Sequence, residues 1–320
     1  MKRLLLAGGG HAHVEVLRRF ADAIPAGWEI TLVSPYERQL YSGMVPGVIA
    51  GHYALDDCAI ALGPLATRAG ARFQRASVSL VDPVRREAML ADGNKIAYDL
   101  LSLDIGCAMT IASAPRFAHA IPIRPLERAI EAWDRLRDAA LAGRVRSISL
   151  VGAGGAGVEL ALAMACRMRR SMGDARPHVR LIGDAPEIVP EYSRGARARL
   201  TRALRRFAIG VHAGTGAAAI GKDFVRLEGG LEFASDATFW TAGGEAPTVI
   251  RDSGFATDDR GYLLVDDCLR STSHADVFAA GDCATRRDSP RPKAGVFAVR
   301  AGPALFTNLR AAMTGAALEP

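Results

Sequence analysis

Short apolar runs that break on glycine recur along this chain. Residues 3–7 are leucine-rich and run into Gly8-Gly9-Gly10-His11-Ala12-His13, and residues 147–151 run into Gly152-Ala153-Gly154-Gly155-Ala156-Gly157. Short apolar runs bounded by turn residues read as buried strands. Behind each turn the spacing changes to a helical period, giving helices to about Phe20 and over 158–169. Strands are predicted next at 29–33 and 179–182, then hairpins. In the first half 78–81 and 87–90 lead through Asp92-Gly93-Asn94 to Ile96 and Tyr98. In the second half 224–227 lead through Gly229-Gly230 to 231–233. Apolar strands at 100–103 and 237–241 then run into Gly106 and Gly243.

The two halves therefore copy one plan. Gly93 and Gly230 are 137 positions apart, as are Gly106 and Gly243, while the two glycine turns are 144 apart. A shared offset at successive landmarks indicates a duplicated unit. A glycine-rich turn between strand and helix lets the backbone approach a pyrophosphate, which rests on the N–H groups at the helix start. One such turn is a weak signal; two in matching contexts imply a protein that holds two dinucleotides. Between the halves, Leu126, Ile130, Trp133 and Leu136 mark an amphipathic helix. The last part carries a strand ending in Ala280-Gly281-Asp282 and a helix over 295–314.

With 320 residues, 49% hydrophobic and 23% charged, the chain reads as a globular protein of two domains. The apolar start is too short for a signal peptide and runs straight into the glycine turn, so a cytoplasmic location is expected. The net charge of +6 owes much to Arg194, Arg197, Arg199, Arg202, Arg205 and Arg206. These lie on a helix whose buried stripe is Leu200, Leu204 and Phe207. They read as a solvated face or as contact with an anionic membrane surface or acidic partner; without interleaved aromatics, nucleic acid is not expected. Cys58, Cys107, Cys166, Cys268 and Cys283 form no close pair, and no metal-ligand spacing occurs. Cys166 reads as core. Of the histidines, only His11 and His13 lie in a chemically suggestive place.

The paired turns, the Gly243 junction and Phe278-Ala279-Ala280-Gly281-Asp282 resemble the FAD-dependent pyridine nucleotide-disulfide oxidoreductase superfamily. The branch resembled holds type II NADH dehydrogenases, sulfide:quinone reductases and apoptosis-inducing-factor-like proteins. The stretches 4–13, 41–47 and 292–296 are most similar to a bacterial subgroup fused to, or encoded beside, selenide water dikinase. The resemblance implies an α/β fold of two nested Rossmann-like domains, with three-layer sheets and β-hairpin excursions. It implies FAD-binding parts at 1–115 and 244–320 around an NAD(P)H-binding domain at 116–243. Relatives continue into a C-terminal interface or membrane segment that this chain is expected to lack.

The resemblance also assigns roles. Gly8, Gly10, His11 and Ala12 would cradle the FAD pyrophosphate. Ser34, Pro35 and Arg38 would lie against the adenosine, Val78 against adenine, and Ser42, Gly43 and Pro46 along the flavin. Gly106, Gly243 and Gly281 would shape the junctions and Asp282 would hold the ribitol. Gly152, Gly154 and Gly157 would take NAD(P)H, Glu159 would face the nicotinamide, and Lys293 would set a positive charge near the flavin. Hydride would pass from nicotinamide to flavin N5, and electrons onward to a quinone or other small acceptor. Several positions depart from the pattern. His13 replaces the third glycine, so the first helix is expected to pack less closely on its sheet. Ser34 and Gly183 replace the carboxylates that bind adenosine ribose, leaving NADH and NADPH equally open. The missing cysteine pairs argue against a thiol mechanism. Two other readings stand: a selenium- or sulfur-compound oxidoreductase linked to selenide water dikinase, and a non-catalytic dinucleotide-binding module. Peripheral membrane contact and oligomerisation both remain open.

Overall fold

In the computed structural model, residues 1–22, 24–109, 111 and 114–320 are described. Among them the helices are α1 (His11–Phe20), α2 (Val45–Ala50), α3 (Leu62–Arg68), α4 (Leu126–Leu141), α5 (Gly155–Met172), α6 (Arg194–Arg206), α7 (Thr248–Asp252) and α8 (Gly295–Thr314). The contacts divide the chain into two units.

The first unit holds Met1–Gly43, Ala59–Ala108 and Gly244–Pro320. Its parallel sheet runs, edge to edge, Val277–Ala279, Leu100–Leu103, Lys2–Ala7, Trp28–Ser34 and Arg72–Arg75. The central strands are apolar on both faces because both faces are covered. Leu4, Leu5, Leu6 and Leu101 are all buried, and helices α1 and α8 pack on each other beside them. The antiparallel meander of Val78–Asp82, Glu87–Leu90 and Lys95–Ala97 joins the same core through Val81, Ala88 and Leu90. The Asp92-Gly93-Asn94 turn closes it, with Asp92 accepting from the Asn94 N–H.

The second unit holds Met44–Cys58 and Met109–Gly243. Its sheet runs Ala120–Pro122, Ala237–Trp240, Ser147–Val151, His178–Gly183 and Gly210–Ala213, again parallel throughout. A second antiparallel meander, Ala217–Ile220, Phe224–Leu227 and Glu232–Ala234, packs Ile220, Val225 and Leu227 against Ile182 and Trp240. The repeat read from glycine spacing is thus a repeated architecture: parallel sheet, glycine turn, helix, meander. Strands Arg72–Arg75, Ala120–Pro122 and Gly210–Ala213 give no alternating signal, because each is a short edge strand. Short α2 packs against α5 within this unit. Cys166 on α5 is half-buried rather than core.

Candidate functional site

The first turn follows from where its strand ends. Gly8 sits at φ +98°, and a side chain there would run into the backbone carbonyl of Asp104. Only glycine satisfies both demands. Gly10, the extended N-cap of α1, has no room for a side chain either, because the Asp104 carboxylate occupies that space. Asp104 Oδ2 accepts the N–H groups of Ala12 (2.8 Å) and His13 (3.2 Å), so a carboxylate satisfies donors that no capping side chain serves. Val14 N–H goes to the Gly10 carbonyl, which leaves the His11 N–H with no protein acceptor among the described residues. Gly281, at φ +70°, closes on the same carboxylate from the other side. Asp104 is fully enclosed. Burial pushes its pKa up to about 7, against the two N–H donors that favour the charged form, and Asp282 adds to the rise.

His13 takes the third glycine's place, and α1 makes fewer close approaches to its sheet than α5, with glycine at the matching position, makes to its own, in line with the looser packing expected. Its ring is fully buried. Nδ1 lies 2.6 Å from the Gly8 carbonyl and Nε2 lies 2.8 Å from Ser102 Oγ. A carbonyl can only accept, so Nδ1 carries the proton and Ser102 donates to Nε2. The imidazole is therefore neutral, and burial holds its pKa down at about 4. Replacing Ser102 by alanine leaves Nε2 buried without a donor. The expected result is a loss of roughly 1–3 kcal/mol in urea unfolding with an unchanged flavin spectrum.

The other residues assigned to FAD fall as follows. Ser34 is buried beside Gly9, its hydroxyl accepting from Tyr36 N–H at 3.3 Å. Pro35 is exposed, and Arg38 opens the strand Arg38–Leu40. Val78 opens the meander, and Ser42 Oγ meets the start of α8 at Gly295. Gly43 follows in the first unit, whereas Pro46 lies in α2 of the second. Gly106 turns at φ +72° and Asp282 is buried in the turn after Val277–Ala279. His11 is half-buried, edge-on to Tyr41, with Nε2 buried and unpartnered; burial lowers its pKa while Asp282 opposes that. An orphaned nitrogen and a free N–H at a glycine-lined helix start are what a pyrophosphate would satisfy, so the residues present fit FAD.

Lys293 is more constrained than a free charge. Its ammonium donates to the Ala284 carbonyl and to Thr285 Oγ1, and lies 4.0 Å from the centre of the Tyr262 ring. Thr285 in turn donates to Asp258 at 2.8 Å, and burial lowers the lysine pKa. This braces the segment that follows Asp282.

In the second unit, Gly152 turns at φ +115° and Gly157 faces the Gly152 carbonyl at closest approach, with Thr241 Oγ1 bridging the carbonyls of Val151 and Gly152. Gly154, the N-cap of α5, differs: a Cβ there would meet nothing within 4 Å. Gly183 is closed, its Cβ position 2.5 Å from that of Ala153, so a side chain at the end of this strand has no room. Glu159 stands on the outer side of α5, its pKa raised by desolvation. Gly243 turns at φ +58°. Sequence reading missed Asp104 and Thr241. For Asp104 a signal existed: a carboxylate placed directly after the leucine-rich strand Leu100–Leu103 and two residues before a glycine.

Two parallel-sheet units, each opening on a glycine-lined strand-to-helix turn, define a two-dinucleotide oxidoreductase. The chain belongs to the pyridine nucleotide-disulphide oxidoreductase family, whose profile matches residues 2–302. It is 29% identical over 300 residues to an NADH dehydrogenase-like protein of Mycobacterium tuberculosis, covering 90% of this chain and 74% of that one. It is 26% identical over 303 residues to the demethylphylloquinone reductase of Synechocystis, covering 90% and 73%. The sulfide:quinone oxidoreductase of Aquifex aeolicus superposes with a TM-score of 0.83 at 18% identity, over 98% of this chain and 78% of that one. The chain thus spans about three quarters of these relatives. Membership makes it an FAD-dependent oxidoreductase that uses a pyridine nucleotide. No helix among the described residues is long and apolar enough to cross a membrane.

Proposed function

We propose that this protein oxidises NAD(P)H through FAD and delivers the electrons to a quinone. The observation that carries the nucleotide half is the contrast at Gly154, where the fold leaves space that it fills at Gly157. Support for the acceptor comes from the Synechocystis relative, named as a demethylphylloquinone reductase. FAD, when bound, supplies the two-electron carrier; the protein supplies position and electrostatics. On this reading the N–H of His11 and the turn at Gly8–Gly10 hold the pyrophosphate, and Asp282 holds the ribitol. Asp104 receives the remaining helix donors, and Lys293 fixes the segment carrying Asp282. Gly152, Gly154 and Gly157 hold the nicotinamide dinucleotide, with Glu159 beside it.

A thiol relay has little chemistry to draw on. Burial pushes the Cys283 thiol up to about 12 and raises Cys58 and Cys268, which suppresses the thiolate in each. The test is an anaerobic titration of the FAD-reconstituted protein with NADH and then NADPH, followed by a water-soluble quinone. Bleaching of the flavin's visible absorbance by a nucleotide and its return on adding quinone is expected. A folded protein that takes up no FAD, or a flavin neither nucleotide reduces, overturns the reading.

A further inference from the structure

Helix α6 carries five arginines that the fold does not use. Arg194, Arg199, Arg202, Arg205 and Arg206 are exposed, and none has an acidic partner among the described residues. At 100° per residue they occupy one arc of about 140°, with only Gly195 and Ala198 between them. The opposite side is spoken for. Leu204 is buried, and Phe207 lies 4.3 Å from the guanidinium of Arg169 on α5. Arg197, which points away from the arc, is the one arginine put to structural use. It pairs with Glu187 and donates to the carbonyls of Pro190 and Tyr192.

Apart from Arg205 and Arg206, which the dipole favours in the last turn, this arrangement works against the helix. Arg199–Arg202, Arg202–Arg205 and Arg202–Arg206 are like charges at three- and four-residue spacing, and Arg194 sits at the positive end of the helix dipole. No acidic residue on α6 relieves them. A cluster kept against local electrostatics calls for an external counter-charge.

We propose that the arginine face of α6 adsorbs to an anionic lipid surface. The chemistry of the arc selects that partner. It offers no Trp, Tyr, Phe or Leu to anchor in a protein pocket, and no aromatic to stack on a base. A plane of lipid phosphates asks only for clustered positive charge, and four to eight Lys or Arg on a helix suffice. The apolar stripe of α6 is spent on α5 and the strand Gly210–Ala213 of its own unit, so the contact is made at the headgroups, without insertion. This does not depend on the identity of the electron acceptor.

The test uses the FAD-reconstituted full chain in sedimentation with vesicles of phosphatidylcholine alone, or with about 30% phosphatidylglycerol, at low and high salt. Binding only to the anionic vesicles, weakened by salt, is expected. The combined variant Arg199→Gln, Arg202→Gln, Arg206→Gln should bind about a hundredfold more weakly, at roughly fivefold per arginine. The matching variant with lysine at all three positions should bind like the parent. Melting temperature and flavin content of each variant establish that it is folded. Four outcomes overturn the proposal. They are no binding at low salt, equal binding to neutral vesicles, undiminished binding by the glutamine variant, or tighter binding to duplex DNA at equal phosphate concentration.

Discussion

Replacing Gly154 by alanine should leave the protein as stable and as flavin-loaded as the parent, yet cut its affinity for NAD(P)H by about a hundredfold or more. The backbone of Gly154 is extended, at φ −73° and ψ −176°, which any L residue adopts. A Cβ there meets no protein atom within 4 Å, so the fold has no objection to it. On the proposed function, what the methyl would displace is a phosphate drawn onto the N–H groups at the start of α5. Loss of charge-assisted hydrogen bonds at that point costs about 3 kcal/mol, a hundredfold in affinity. Gly157 provides the control. A methyl there collides with the Gly152 carbonyl, so Gly157→Ala should lose stability, by roughly 3 kcal/mol or more, as well as binding. Nucleotide fluorescence titration and urea unfolding of both variants separate the two effects. Unaltered NADH and NADPH binding in the Gly154 variant would show that the second turn is not the nucleotide site.

A second large effect is expected from Asp104→Asn, and it shows only as a dependence on pH. Asp104 has its folded pKa raised from 3.8 to about 7. A raised folded pKa contributes stability that is complete below the unfolded value and is lost as pH climbs through the folded one. His13, whose own N–H donates to Asp104, does the reverse. Its folded pKa falls from 6.5 to about 4, so its contribution is complete above 6.5 and is lost as pH drops to about 4. Between pH 4 and 6.5 the two slopes oppose each other, and the parent should show little pH dependence from this site. Asparagine keeps an oxygen to accept from Ala12 and His13 but does not titrate. The variant should therefore gain on the parent by ~1.4 kcal/mol per pH unit from about pH 4 to 7. Urea midpoints of parent and variant across that range measure it. Parallel pH profiles would mean that Asp104 is not the buried acid described.

The buried acid and the buried base form one device at the start of α1. Asp104 supplies the helix's missing acceptor where a side-chain cap would ordinarily stand, and His13 fills the gap that a third glycine would leave. Each is a departure from the simplest glycine turn, and each depends on the strand Leu100–Leu103, which delivers Ser102 and Asp104 to the same place.

The sequence by itself determined the repeated plan. Gly8 and Gly152 are forced by a positive φ, Gly10 and Gly157 by the lack of room for a Cβ, and constraints of that kind leave their mark in the letters. The central strands were equally legible, since a strand covered on both faces is mostly apolar, its buried exceptions such as Ser102 and Ser149 being hydrogen-bonded. The arginine periodicity of α6 was legible for the same reason: a helix facing water on one side and protein on the other writes its period in the sequence. What depended on residues far apart in the chain was decided by the tertiary structure alone. Asp104 meets Ala12, 92 residues away in sequence, only because two parallel strands lie side by side. The grouping of Met44–Cys58 with the second unit rests on α2 meeting α5. The bracing of Lys293 rests on Thr285 and Tyr262, which spacing does not connect to it. The difference between Gly154 and Gly157, identical as letters, is the clearest case. One faces open space and the other a carbonyl, and only the packed backbone distinguishes room left for a ligand from room the fold has already taken.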